Sequence, residues 1–535
     1  PLSEASVDPQ GRFGIRLPQK VDRVVLSLSS PWAPTRRMEV SVDDEDLNLA
    51  LAVSGAPGRL VLPRGRAMRL VVTGLGNTPD PSFGAYRPAY SSSATEVMGS
   101  LQGNSISLAG VAADPPSVDL APGNYRIFAS RGFEFNAVSR DIDIVAGQTS
   151  VIELGPLRRT VDVSGWISAD FHVHTGFSFD STVEPLVQLQ SFVAQGADLL
   201  VATEHDVVAD LGRIAVEQGL DDSVTVVSGV EVTGMAQTEA VPRTLGHVNL
   251  YPWPRDEQAF AGGVPRHEGM RVRQLMARVR ERSTPPLVQL NHPRDLSEQS
   301  PDVAFFEHLS IGERYDQRLP LHNVQNRSLI EADPGSGLRD LDFDTYELAN
   351  GAQRELYQAA RADWLALILQ GEYRPALANS DSHDLLSPVA MPRSYVAYGG
   401  AIRHPLDTEE VWEAVRSGRV FGSSGPIPMV ELIGEGGQSG TIGDTLSGRK
   451  FTLRASASAT HWVNVDQLWV YVNGVVIAGG SYKPGELREI PIEVEQDSFI
   501  FVEFYGSPSE IYAVLAPGHT PMAFTNPLWI DADGD

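Results

Sequence analysis

Four short segments, far apart in the chain, carry histidines and carboxylates in a pattern that few folds can use. They read Asp170-Phe-His172-Val-His174-Thr175, Thr203-Glu204-His205-Asp206, Asn291-His292-Pro293 and Asp381-Ser382-His383. Each falls where a strand is predicted to end. In a strand, successive side chains point to opposite faces, so an X–Y–X spacing sends both X groups the same way. His172 and His174 therefore form one pincer, and Asp381 and His383 another. Two pincers plus single histidines suit a polynuclear transition-metal site.

The chain has 535 residues, too many for one core and enough for several domains. Its net charge of −26 argues against nucleic acid or an anionic membrane surface as partner. The expected partner is a small molecule; an anion would be drawn in by local cations against the overall field. With no cysteine, disulfides and thiolate ligands are excluded, and metals must bind through nitrogen and oxygen. No apolar run of about 18 residues occurs, so no membrane span is expected. The chain opens at Pro1 without an initiator methionine or signal peptide, as a processed protein would. A cysteine-free acidic chain with β-rich flanks suits the periplasm or the exterior. Oligomeric state is not legible.

Residues 1–163 read as an all-β, sandwich-like region of one or two modules. Val24-Val25-Leu26-Ser27-Leu28, Leu60-Val61-Leu62 and Leu70-Val71-Val72 are short β-branched runs separated by turn residues. From about 164 to 428 strands and helices alternate. Strands are expected near 167–174, 198–204, 224–232, 246–251, 286–291, 343–349 and 376–381. One helix starts at Pro185 and stops at Gly196; others cover roughly 267–283, 353–371 and 407–417. This pattern predicts a closed α/β barrel with its active site at the strand C-termini. Residues 296–342 lack periodicity and read as a lid-like insertion. Residues 429–535 are again β-rich, with a hairpin about Asn473-Gly474, and read as a second sandwich-like domain.

Asp180, Glu231 and His247 also follow predicted strands. With them, the ordered text His172-Val-His174-Thr-Gly-Phe-Ser-Phe-Asp180, Thr-Glu-His205-Asp206, Gly-Val-Glu231, Gly-His247, Asn-His292-Pro and Ser-Asp381-Ser-His383 resembles the polymerase and histidinol phosphatase (PHP) superfamily over residues 166 to about 425. Gly165-Trp-Ile-Ser-Ala-Asp170, Ser417-Gly-Arg-Val-Phe-Gly-Ser-Ser-Gly-Pro426 and the closing Phe524-Thr-Asn-Pro-Leu-Trp-Ile-Asp531 are similar to the branch containing a carbaryl hydrolase. The resemblance implies a distorted seven-stranded (β/α) barrel and two or three divalent ions. One ion would take His172, His174, Glu231 and Asp381. A second would share Glu231 and add His247 and His292, and a third would take Asp180, His205 and His383. Nitrogen and oxygen ligands fit Zn, Mn or Fe alike.

Glu204 and Asp206, flanking His205, are candidate proton shuttles or orienting groups. Arg294 and Arg393 are candidate anion clamps. Asn249, Tyr251, His267 and Asn350 are further pocket candidates, and His308, His322 and His404 read as surface residues. The expected function is a metal-dependent hydrolase whose activated water attacks a phosphate ester or related ester. Carbamate or amide cleavage is the first rival, and metal-assisted elimination from a uronic acid glycoside the second. A phosphate dianion calls for arginines beside the metals, a carbamate for an apolar wall. Arg314, Arg318 and Arg327 with Phe305-Phe306 leave that choice open in the sequence.

Overall fold

The computed structural model describes residues 12–14, 22–30, 32–41, 55–83, 86–88, 97–100, 103–110, 116–295 and 303–534. The chain divides into two compact units. One comprises Pro1–Ala129, Val138–Pro156 and Asp384–Leu386; the other Ser130–Ala137, Leu157–His383 and Ser387–Asp535.

The first unit is all-β over its described residues. Strands Val138–Ile144, Gly123–Ser130, Ala67–Gly74 and Ser105–Ala109 form one sheet in that order, and Thr149–Val151, Gly58–Val61 and Ser117–Leu120 another. Leu60, Leu70, Val72, Leu120, Tyr125 and Ile127 are buried, the inward half of an alternating pattern. Among the described residues this unit holds no cluster of metal-type side chains.

The second unit carries the histidines. Trp166–Val173 pairs in parallel with Leu199–Ala202, which pairs in parallel with Thr225–Ser228. A five-stranded sheet follows in the order Val230–Val232, Val248–Tyr251, Leu287–Leu290, Thr345–Asn350, Ala376–Asn379. The first two pairings are antiparallel and the last two parallel. The expected strand 224–232 is broken at Gly229. A Cβ there would stand 2.9 Å from the Leu250 carbonyl oxygen and 3.2 Å from that of Ala202. At this point the chain exchanges the Leu199–Ala202 strand for Val248–Tyr251. The sheets are joined at one end by two isolated bridges, Val173 to Ser382 and His205 to Glu231, and both bridges involve or adjoin the histidine segments.

Helix Pro185–Ala194 has proline in its first turn and ends before Gly196, whose φ is 64°. Val272–Val279, Arg354–Ile368 and Thr408–Arg416 fall inside the expected helical spans. No helix among the described residues is long and apolar enough to cross a membrane.

Two expectations need revision. Residues 429–535 are not a separate compact unit. Val420–Ser423 pairs with Met522–Thr525, so the sheet that starts at the histidine strands continues to Ser498–Tyr505 and the Gln467–Val472/Val475–Ser481 hairpin. The hairpin turn does use Asn473 and Gly474, with φ of 50° and 77°. The insertion is also no open flap over its described part. Residues 296–302 lie outside the described residues. Beyond them Phe305, Phe306, Leu329 and Leu341 are buried in the main core of the unit, with short 3-10 turns at Phe305–Glu307 and Arg327–Leu329.

Candidate metal centre

Backbone hydrogen bonds set the two pincers side by side. Asp381 N–H donates to the His172 carbonyl (2.9 Å) and His174 N–H to that of Ser382 (3.2 Å). Glu231 is aligned in the same way, donating to the Glu204 carbonyl and accepting from Asp206 N–H at 2.9 Å. Asp381 and Asp206 have φ of 47° and 52°, a left-handed conformation that aspartate tolerates better than most residues. Strain of this kind gathers at functional sites.

The nine residues named from the sequence as ligands lie together. His172 Nε2 is 3.3 Å from Glu231 Oε2 and 3.2 Å from Asp381 Oδ1. His174 Nε2 reaches the same two oxygens at 3.2 and 3.1 Å. The other Glu231 oxygen faces His247 Nδ1 at 3.1 Å and His292 Nε2 at 3.4 Å. Asp180 Oδ2 lies 3.1 Å from His205 Nε2 and 3.2 Å from His383 Nε2. Glu231 thus touches two groups with its two oxygens, and the Asp180, His205 and His383 set stands beside His174. Glu231, His172 and His174 are fully buried, whereas the Asp180 and His383 side chains are 37% and 27% exposed. The cluster opens on the Asp180 side.

Hydrogen bonding shows what these atoms are suited to hold. His172 Nδ1 meets Glu347 Oε1 at 2.9 Å and His383 Nδ1 meets the Asp381 carbonyl at 2.9 Å, both acceptors, so each ring donates from Nδ1. Ser178 Oγ gives its own proton to Glu204 at 2.6 Å and therefore accepts from His174 Nδ1 at 2.9 Å. A neutral imidazole has one N–H. In each of the three, Nε2 is left with a lone pair aimed at carboxylate oxygens. Nε2 of His172, His174 and His383, Nδ1 of His247, Oε2 of Glu231 and Oδ1 of Asp381 are buried and make no hydrogen bond. Lone pair against lone pair in a buried site is unfavourable. Either a proton or a metal cation between them removes the conflict, and the nitrogen and oxygen donor set fits a metal cation.

The titration pattern agrees. Burial opposes charge on His172, but Asp381, Glu231 and Glu347 outweigh it and hold the ring well above its ordinary value. Burial likewise works against His383, yet Asp381 and Asp180 raise it to about 9. Glu231 is held well below the carboxylate range, against burial, by His172, His205 and His247. His247 goes the other way, to about 4, because its burial exceeds what Glu231 returns. The imidazolium protons occupy the role that metal charge would take.

The three proposed chemical residues are placed differently from the ligands. Glu204 is fully buried, and its carboxylate accepts from Thr175 N–H, Thr175 Oγ1 and Ser178 Oγ at 2.9, 2.5 and 2.6 Å. It holds the 174–178 turn and, through Ser178, orients His174, a placement that favours the orienting alternative over the proton shuttle. Arg294 is not brought to the cluster either. Its guanidinium binds Asp363 at 2.5 and 2.8 Å and donates to the Phe306 and Tyr315 carbonyls. Arg393 is also buried and donates to the Ala390 and Gln195 carbonyls. Asp206 stays at the rim, 29% exposed, with Oδ1 accepting from Thr233 N–H and lying 3.2 Å from His267 Nε2.

Among the weaker candidates, Asn350 donates to Asp381 Oδ2 at 3.0 Å. Asn249 Nδ2 and the Tyr251 hydroxyl make buried hydrogen bonds to Phe171 O and Gln289. His308 is buried, not a surface residue.

Sequence reasoning missed Glu347, Ser178, Thr233 and Phe179. Thr233 Oγ1 meets His205 Nδ1 at 2.7 Å. Phe179 is 60% exposed and stacks on the His205 ring, centroids 4.8 Å apart. The signal for Glu347 was available: a single acid inside the apolar strand Thr345–Asn350 must be paired to be buried. Compared with known proteins, the chain matches no protein-family model and no curated relative.

Proposed function

We propose that the protein is a polynuclear metal-dependent hydrolase of PHP type, its two joined sheets forming the distorted seven-stranded barrel. The observation that supports this most is the set of buried ring nitrogens without hydrogen-bond partners, on His172, His174, His247 and His383, aimed at the shared carboxylates of Glu231, Asp381 and Asp180. When bound, divalent cations would supply an activated water and countercharge for the oxyanion of an ester-cleaving transition state.

The chain's own groups do the rest. Glu231 joins two ligand groups through its two oxygens, which fixes their spacing. Substrate enters on the open Asp180/His383 side. Of the two carboxylates flanking His205, only Asp206 keeps an exposed edge from which to carry a proton.

The bond cleaved is an ester or a relative of one, and a neutral carbamate or carboxylic ester is favoured over a phosphate dianion. The arginines that would clamp a phosphate are engaged elsewhere. Arg294 and Arg393 are buried on other partners, and Arg314, Arg318 and Arg327 pair with Glu307, Asp316 and Glu331. Phe179, by contrast, offers an open apolar face directly on His205. Elimination from a sugar acid, which would draw on Glu204 as base, loses its support because that carboxylate is filled by Thr175 and Ser178.

The test is metal analysis of the purified protein followed by nitrophenyl phosphate, carbamate and carboxylic ester substrates. We expect bound Zn, Mn or Fe, activity abolished by a chelator and restored by metal, and faster turnover of the neutral substrates. Full turnover by an ion-free sample would end the proposal.

A further inference from the structure

Four donors converge on the buried carboxylate of Glu347, and three of its links run to metal-type ligands. Oε1 accepts from His172 Nδ1 at 2.9 Å and from Asn379 Nδ2 at 2.9 Å. Oε2 accepts from the His292 backbone N–H at 2.7 Å and from Asn350 Nδ2 at 3.0 Å. Asn350 Nδ2 also donates to Asp381 Oδ2 at 3.0 Å. His172, His292 and Asp381 are one of the sets whose ligand atoms lie within 4.8 Å of one another. One carboxylate therefore grips a ring, a backbone and, through an amide, a second carboxylate of the same set.

We infer that Glu347 is the positioning residue that fixes His172, His292 and Asp381 together as a metal-binding group, an inference that rests on the metal reading above. It touches neither substrate nor reacting atoms. Its role is to keep the His172 proton on Nδ1, so that Nε2 presents a lone pair to the cage, and to hold the two neighbouring ligands in register with that ring. Second-sphere carboxylates act on metal ligands in this way, and losing one typically costs about 10- to 100-fold in metal affinity.

The isosteric variant Glu347→Gln is discriminating because every contact to this side chain is a donor. A glutamine must turn its NH2 toward one pair of them. If it faces His172, the ring proton is driven to Nε2 and the lone pair toward the cage is lost. If it faces His292 and Asn350, their two N–H groups are left unsatisfied. The volume and fold of the site are otherwise kept.

The experiment titrates Co(II) and Zn(II) into chelator-stripped wild type and Glu347→Gln. It follows visible Co(II) absorption, stoichiometry by mass spectrometry, and thermal unfolding of the stripped proteins. We expect wild-type uptake, an affinity about 10- to 100-fold weaker in the variant with an altered cobalt spectrum, and little change in unfolding of the metal-free form. Should Glu347→Gln not fold, Asn350→Ala cuts only the Asp381 link and is expected to weaken binding by a smaller factor. Wild-type affinity and cobalt spectrum in Glu347→Gln, or in Asn350→Ala where that variant stands in, would overturn the inference while leaving the metal reading intact. A wild-type chain that takes up no ion would end both.

Discussion

A neutral imidazole can offer a cation only one nitrogen, and in His172, His174 and His383 the other is engaged by Glu347, Ser178 and the Asp381 carbonyl. Removing His172 deletes a buried donor that meets both Glu231 and Asp381. His172→Ala is expected to lose at least one metal equivalent and all measurable turnover while its circular dichroism stays that of the wild type. A variant that keeps its full metal content would contradict this placement. Protons compete for the same nitrogens. The raised value of His383, about 9 against an ordinary 6.5, means that proton stabilises the metal-free fold fully below 6.5. The contribution is lost as pH rises through about 9. A cation must displace that proton, so apparent metal affinity should climb from pH 6.5 to about 9 with proton release on binding. A flat profile would show that His383 is not a ligand. Phe179→Ala should raise KM for aryl substrates by about 3- to 10-fold, the worth of one stacked aromatic, and leave kcat unaltered for substrates without a ring. The His172/His174 pair was legible because spacing in a strand dictates direction. Asp381 and His383 lie beyond the strand Ala376–Asn379 and, like the single ligands, were legible through the order of the segments and the family resemblance. Glu347 was legible only as a buried acid in need of a partner, and Ser178 not at all, because they touch a ligand from a distant strand and from within a turn, and no spacing encodes either contact.

At the scale of elements, the seven expected strands and four expected helices followed from periodicity and capping, while the helix Leu211–Glu217, the strands Arg393–Ala397 and Val420–Ser423 and the insertion did not. Its described apolar residues fill the core without a repeat, and Arg294 ties the segment down through the Phe306 and Tyr315 carbonyls. That arginine is 5% exposed and meets Asp363, which is fully buried. Arg294→Ala would leave the Asp363 charge unpaired, for which about 3–5 kcal/mol of destabilisation is expected, measurable by chemical denaturation. Arg294→Ala with Asp363→Ala should recover part of the loss, and a single variant of wild-type stability would show the pair contributes nothing. The loop before His247 meets the same insertion. Gly246 has φ of 77°, and a Cβ there would stand 2.9 Å from Phe305 Cβ and 3.0 Å from its backbone nitrogen. Gly246→Ala should therefore cost about 1–3 kcal/mol and weaken metal binding through the displaced His247. Stability lost with metal affinity unchanged would separate the loop from the site.

Over the whole molecule, composition suggested a boundary at 428, yet the sheet and the core cross it. Local β-richness reports strand content, not which strands share a sheet, so pairing between Val420–Ser423 and Met522–Thr525 could not be read from either segment. The helix Arg354–Ile368 rests on the far side of that boundary. Tyr357 stacks on Phe524 at 5.7 Å and Trp364 meets Phe501 at 5.5 Å. Glu503, fully buried, accepts from Tyr357 and from Arg361. Asn526 closes the seam, accepting from Ala376 N–H and donating to the Ala376 and Val420 carbonyls. Each large apolar side chain exposed costs roughly 1.5–3 kcal/mol, and Phe499, Phe501 and Phe524 all belong to the core that contains Tyr357 and Trp364. Their combined loss rivals the roughly 5–15 kcal/mol that keeps an ordinary domain folded, before the unpaired hydrogen bonds are counted. A chain ending at residue 428 should therefore lack a cooperative thermal transition, bind a hydrophobic dye and take up no metal. A soluble 428-residue product that melts cooperatively and binds metal like the full chain would mean that the C-terminal strands are an appendage, and that the His172 to His383 cluster is held by the preceding strands alone.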